Sequence, residues 1–158
     1  KLYKLELQPE EAISNLHDGS FDVITMWHVL EHVPLLHERV AELSRLLSKD
    51  GIIAIAVPNH KSYDAQHYKQ YWGAYDVPRH LYHFDKESVT SIFDKHNLQL
   101  LAIQGMPFDS FYVSLLSEKY KTGKTNWINA LSVGLLSYFR SGKDNWSSQI
   151  YLFAHKAH

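Results

Sequence analysis

Two apolar, β-branched runs flanking a single amphipathic stretch constrain this chain more than anything else in it. "FDVITM", Phe21 to Met26, is bounded by Asp18-Gly19-Ser20 and reads as a buried strand. Leu36, Val40, Leu43 and Leu47 then recur at spacings of four, three and four, which is one helix with one apolar face. Pro34 stands just ahead of it, where a first helical turn tolerates proline. Gly51, after Lys49 and Asp50, has the place of a glycine that closes the helix. "IIAIAV", Ile52 to Val57, follows as a second continuous apolar strand stopped by Pro58. Strand, helix and strand of these lengths build a right-handed crossover in a parallel sheet.

From Asn59 to Phe84 the pattern breaks into an aromatic, histidine-rich segment, expected as a long ordered loop with a short helix. Asp85 suits the N-cap of a helix running through Val89, Ile92 and Phe93 to His96, and "LQLLAIQG" then reads as a strand. Residues 108–140 are helical by pattern with a break at "GKT", and "SSQIYLFAHKA" closes the chain as a strand. The order predicts an α/β fold with a mostly parallel sheet and flanking helices, in one domain over 1–158. Residues 108–147 are a helical insertion in it, suited to a lid or a dimer surface. In such sheets ligands gather outside the carboxyl ends of the strands, here Met26 to His28 and Pro58 to His60.

Composition narrows the partners. The chain is 45% hydrophobic, yet no apolar run reaches the roughly 18 residues of a membrane span, so a soluble domain is expected. A net charge of −1 carries no footprint of the kind that nucleic acid or an anionic membrane demands, and neither is an expected partner. The absence of cysteine excludes disulfides and thiolate metal sites and fits the cytoplasm. Lys1 to Leu7 is short and polar-interrupted, unlike a signal peptide.

Three segments in order, "DGSFDVITMWHVLEHVP", "RLLSKDGIIAIAVPN" and "DVPRHLYHFDKESV", resemble the second half of a class I S-adenosylmethionine-dependent methyltransferase. The likeness is nearest to the ubiquinone-pathway O-methyltransferase group and covers about residues 18–104. It implies a Rossmann-like sheet in which "FDVITM" is the fourth strand and "IIAIAV" the fifth. It also implies that Met26, Trp27 and His28 border the S-adenosylmethionine, and that Asn59 faces a small-molecule methyl acceptor, with oxygen as the target. Family members hold the cofactor with a Gly-rich turn after the first strand, whereas this chain contains no G-x-G. Those N-terminal strands are expected to precede Lys1, which leaves "FDVITM" with an unpaired edge and favours self-association as a homodimer.

His28, Glu31 and His32 stand at i, i+3 and i+4, so a helix beginning after Met26 would put all three on one face. Three readings compete for them. "HVLEH" matches H-x-x-E-H, a zinc-hydrolase pattern, although a strand-to-helix crossover is the wrong context for it. Relatives with E-x-x-E-H look to bind a divalent cation through this trio and a later histidine. The equivalent set here is His28, Glu31, His32 and His80, whose imidazoles favour Zn²⁺, Ni²⁺ or Mn²⁺ over Mg²⁺. The third reading is structural, with Glu31 pinning the following loop through Arg79 or His80. The structural reading is the default, so S-adenosylmethionine is the expected cofactor and a metal is not.

For methyl transfer, an in-line displacement that needs a positioned and deprotonated nucleophile, His28, His80 and His83 are the candidate bases. Tyr63, Trp72, Tyr75 and Arg79 join Asn59 as candidate acceptor contacts, since tyrosines give an apolar wall with a polar tip. Trp27 and Asn59 are expected side by side, walling a nucleoside-sized cleft. A non-catalytic binding or scaffold module is the alternative function.

Overall fold

The structure is a computed structural model that describes residues 7–157. Of the polar start at Lys1 to Leu7, only Leu7 falls within the described residues. The elements are β1 (Phe21–Trp27), α1 (Leu36–Leu46), β2 (Leu47–Pro58), α2 (Tyr63–Tyr68), α3 (Lys86–Asp94), β3 (Leu98–Gly105), α4 (Asp109–Thr122), α5 (Trp127–Arg140) and β4 (Ser148–His155).

The described sheet has the order β1-β2-β4-β3. β1 and β2 pair in parallel, while β4 lies between β2 and β3 and is antiparallel to both. Three strands therefore point one way, as expected of this α/β class, and the sheet is mixed because of β4. The reason is local: β4 begins beside Pro58, at the carboxyl edge where the helical insertion returns to the sheet. A chain returning there can pair backwards at once, without a crossover. β1 is an edge strand. An apolar groove of about 610 Å³ runs along it, lined by Phe21, Val23, Met26 and Leu43 among others.

α1 buries Leu36, Val40, Leu43 and Leu46, the stripe that the spacing predicts up to its last member. It stops one residue early, because Leu47 already belongs to β2. Gly51 accordingly does not close the helix. It sits in β2 at a register shift, where pairing moves from Phe21↔Leu47 to Val23↔Ile52. A Cβ there would lie 2.8 Å from Leu47 Cδ1 and 3.0 Å from the Asp22 carbonyl oxygen. Close approach of two strands, not a helix end, requires this glycine.

Asp85 caps α3 as expected, accepting from Ser88 N at 2.8 Å while Asp85 N donates to Ser88 Oγ at 2.9 Å. The main core fills the space between sheet and helices with Val40, Ile53, Ile55, Val89 and Tyr151, and with Phe93 stacked on Phe153 at 4.1 Å. A smaller cluster of Ala65, Tyr68, Trp72, Val113 and Val133 fastens α2 to the α4–α5 insertion. At that seam the fully buried Asp64 accepts hydrogen bonds from Trp72 Nε1 at 2.7 Å, Ser137 Oγ at 2.6 Å and Ser147 Oγ at 2.8 Å.

Candidate functional site

The trio does not share a helical face. β1 pairing continues to His28, whose N–H donates to the Ala56 carbonyl at 2.9 Å. His28 then turns the chain with a left-handed backbone, φ 52°, and only a short 3₁₀ turn, Leu30–His32, follows. Straight strand pairing carries the chain past the sheet edge, so one abrupt residue makes the bend that a helix was expected to make. A non-glycine residue in that conformation costs on the order of 1–2 kcal/mol, and such strain gathers at functional sites.

The bend buries Glu31 to 1% exposure beneath residues 76–84. That segment is stitched down by Leu81 N donating to the Glu31 carbonyl at 2.8 Å and by Tyr82 Oη donating to the Pro34 carbonyl at 3.1 Å. Neither carboxylate oxygen of Glu31 has a hydrogen-bond partner. Histidines surround it instead: His28 Nδ1 at 3.4 Å and His80 Nε2 at 3.9 Å from Oε1. His32 packs its ring edge-on against His80 with centroids 4.6 Å apart.

The proton positions on two of these rings follow from their neighbours. His32 Nδ1 lies 3.0 Å from the Arg79 carbonyl oxygen and His80 Nδ1 lies 2.8 Å from that of Ala74. A carbonyl only accepts, so each Nδ1 carries a hydrogen, which leaves Nε2 as the atom through which each ring can bind an ion. Glu31, His32 and His80 bring one ligand atom each to within 4.8 Å of one another. Imidazoles oriented by backbone carbonyls beside an unpartnered carboxylate are the donor set that a divalent transition metal takes. The residues therefore fit such an ion. His28 touches this set through Glu31 but is not among its three members.

His28 has a different setting. Its Nε2 faces Asp109 Oδ2 at 3.4 Å, from the first residue of α4, so the ring spans two carboxylates. Contacts with Asp109, then with Glu31, push its pKa up to about 9 against the opposing effect of burial. Burial alone would raise the Asp109 carboxyl, but His28 and Ser148 outweigh it and hold that group below the usual carboxylate range. At neutral pH His28 is thus an imidazolium, a donor rather than a base. Asp109 was missed in the sequence because it looks like an ordinary acidic residue opening a helix, and its partner lies 81 positions away.

The other candidates separate. His83 points its Nε2 at the Tyr75 carbonyl, 3.1 Å away, and packs on the Tyr75 ring. Trp72 is buried and spends its N–H on Asp64, and Tyr75 packs edge-on against it. Asn59 is buried too: its Nδ2 donates to the Trp146 carbonyl at 3.2 Å and its Oδ1 accepts from Lys61 N at 3.0 Å. Tyr63 lies under the Arg140 guanidinium at 4.6 Å, and Arg79 is exposed with its guanidinium on Asp76 at 2.6 Å. Met26 is in the core, whereas Trp27 is half exposed at the end of β1, paired with Ala56. Trp27 and Asn59 do leave neighbouring parallel strands at the same edge. A cavity of about 1070 Å³ lies at Asn59, lined by Tyr63, Asp85, Arg140 and others.

A profile described as a methyltransferase domain matches residues 4–103, well over half of the chain. The chain belongs to that methyltransferase domain family. This methyltransferase domain has the fold of solved relatives at low identity. A SAM-dependent methyltransferase of Thermotoga maritima superposes with TM-score 0.58 at 15% identity, covering 89% of this chain and 59% of that one. One from Archaeoglobus fulgidus gives TM-score 0.53 at 15% identity over 92% of this chain and 64% of its own. The Burkholderia thailandensis 1,6-didemethyltoxoflavin-N1-methyltransferase, with S-adenosylhomocysteine bound, gives TM-score 0.50 at 14% identity over 92% and 48%. The chain thus spans about half to two-thirds of the length of these structures. No curated protein matches it.

Proposed function

We propose that this domain is the acceptor-side part of an S-adenosylmethionine-dependent methyltransferase that methylates a small molecule at oxygen, in the manner of the ubiquinone-pathway O-methyltransferases, in a cytoplasmic setting. The observation that carries the reading is the buried, unpartnered Glu31 carboxylate ringed by His28, His32 and His80 at the carboxyl end of β1. In a parallel α/β sheet that edge is where ligands bind. The contacts for the cofactor's methionine and ribose come, on this reading, from the part of the fold that the longer relatives have and this sequence does not contain. The apolar groove along β1 is the seat for that part.

With no ion bound, the Nε2 of His80, whose Nδ1 is held by the Ala74 carbonyl, takes or orients the acceptor proton. The His28 imidazolium, its two N–H groups facing Glu31 and Asp109, ties the end of β1 to the start of α4 and so positions the wall of the acceptor site. Residues 76–84 cover the Glu31 carboxylate beside them. The fit of Glu31, His32 and His80 favours the metal reading over the structural default. Those three residues would hold Zn²⁺, Ni²⁺ or Mn²⁺, which when bound supplies a Lewis acid that lowers the pKa of an acceptor hydroxyl.

The test uses a protein spanning the whole fold, labelled S-adenosylmethionine and a panel of hydroxylated acceptors. We expect a labelled methyl ether, and a fall of kcat of roughly 10²-fold in Glu31→Gln with cofactor affinity unchanged. Transfer confined to nitrogen acceptors would refute the choice of oxygen. Cofactor binding without transfer to any acceptor would leave a binding module. Metal retained in equal amount by Glu31→Gln after dialysis would remove the cation from the scheme.

A further inference from the structure

α5 is built inside out. At about 100° per residue, Trp127, Ile128, Leu131, Leu135, Leu136 and Phe139 occupy one half of its circumference. That half is bare: Ile128 is 81% exposed and Phe139 72%. The buried half consists of Ala130, Val133, Gly134 and Ser137. Small residues lie inward because α4 comes so close, with a Cβ on Gly134 falling 2.8 Å from the Phe111 ring and Ser110 Oγ donating to the Gly134 carbonyl at 3.1 Å. The large apolar side chains thus lie on the outward half of the helix, and a continuous apolar face of this kind marks an interaction surface.

Its flanks are cationic. From Lys119 to Lys143 the sequence holds Lys119, Lys121, Lys124, Arg140 and Lys143 and no aspartate or glutamate, in a chain whose net charge is −1. The next acidic residue, Asp144, is held by Lys86 at 2.8 Å. Lys121 rests over the Tyr68 ring and Arg140 over Tyr63, contacts that keep their charge.

We infer that the outer face of α5, bracketed by these cations, docks on an anionic lipid bilayer and lies in its interface. The helix has 14 residues against the roughly 20 needed to cross hydrocarbon, and no helix among the described residues is long and apolar enough to span. An apolar face with tryptophan, leucine and phenylalanine, flanked by lysines, suits the boundary between head groups and acyl chains. A second copy is the poorer occupant. A twofold antiparallel pairing of α5 would set Lys124 against the partner's Lys143 at both ends, and like charges repel. The whole-chain charge concealed this surface by averaging it with the rest.

Flotation of the full-length chain with vesicles tests the inference. Binding is expected to vesicles of phosphatidylcholine mixed with phosphatidylglycerol and not to phosphatidylcholine alone. Lys124→Glu combined with Lys143→Glu reverses the charge at each end and should weaken partitioning about tenfold or more, while Ile128→Asn with Leu135→Asn should abolish it. Should the second pair misfold by circular dichroism, the first pair decides alone. Absence of binding to the anionic vesicles, or binding indifferent to the charge reversal, overturns the proposal. So does a dimer in light scattering that the asparagine pair dissolves while the wild type ignores vesicles.

Discussion

The sheet-centred part of the molecule and the α4–α5 insertion are organised by opposite rules. Around the sheet, large side chains point inward: Phe93 on Phe153, with Ile53, Ile55 and Val89 beside them, all fully buried. In the α4–α5 pair the buried positions are mostly polar or small, Ser110, Ser114, Ser117, Glu118, Ala130, Gly134 and Ser137 with Val113 and Val133, and the large apolar residues of α5 face outward. Glu118 is satisfied by Asn129 Nδ2, and Ser117 Oγ accepts from Gly73 N at 2.7 Å. One region is held by apolar burial that needs no fixed geometry, and the other by hydrogen bonds and close backbone approach that do. The difference explains why hydrophobic pattern identifies the inside of the first region and does not identify that of the second.

The sharpest way to break this contrast is Asp64→Ala. It removes the acceptor of three buried donors at once, and we expect a loss of about 4 kcal/mol in urea unfolding, most of it from leaving Trp72, Ser137 and Ser147 unpaired. A loss under about 1 kcal/mol would show that the seam does not depend on its polar hub. Phe93→Ala tests the other region and should cost about 3–4 kcal/mol through the cavity it opens against Phe153. Gly134→Val comes next. Its new side chain meets Phe111 and should cost about 2 kcal/mol by overpacking, with α4 and α5 forced apart. Leu135→Asn, on the exposed half of the same helix, should change stability by no more than about 0.5 kcal/mol. A core-sized loss there would mean that the outer face is buried in the isolated protein.

The last expectation is a slope. The His28 pKa is raised from 6.5 to about 9, so its pairing with Asp109 and Glu31 favours the folded state fully below pH 6.5 and fades as pH climbs toward 9. Stability should decline across that window, and His28→Gln should flatten the decline. An NMR titration placing the His28 midpoint near 6.5 would dismiss the carboxylate clamp.

Legibility in the sequence follows the range of the interaction. The strand Leu98–Gly105 and the Asp85 cap appear where local pattern puts them, because each depends on neighbours within a few residues. The break before Lys124 likewise ends α4 at Gly123, which adopts φ 75°. The bend at His28 was not legible, since nothing local distinguishes a residue that continues strand pairing and then turns left-handed from one that starts a helix. The Asp109 partner of His28 and the convergence of His80 on Glu31 depend on segments brought together only by the folded chain.

By itself the sequence determined the α/β class, the strand–helix–strand unit and the family, because the spacing of apolar residues fixes which faces must leave water and these motifs stand close together in the chain. Tertiary structure alone decided which histidine is a cation, which two are held by backbone carbonyls beside a buried carboxylate, and which side of α5 faces out. Those outcomes are set by distances of a few ångströms between residues far apart in sequence, where charge, hydrogen bonding and close packing act and periodicity carries no information.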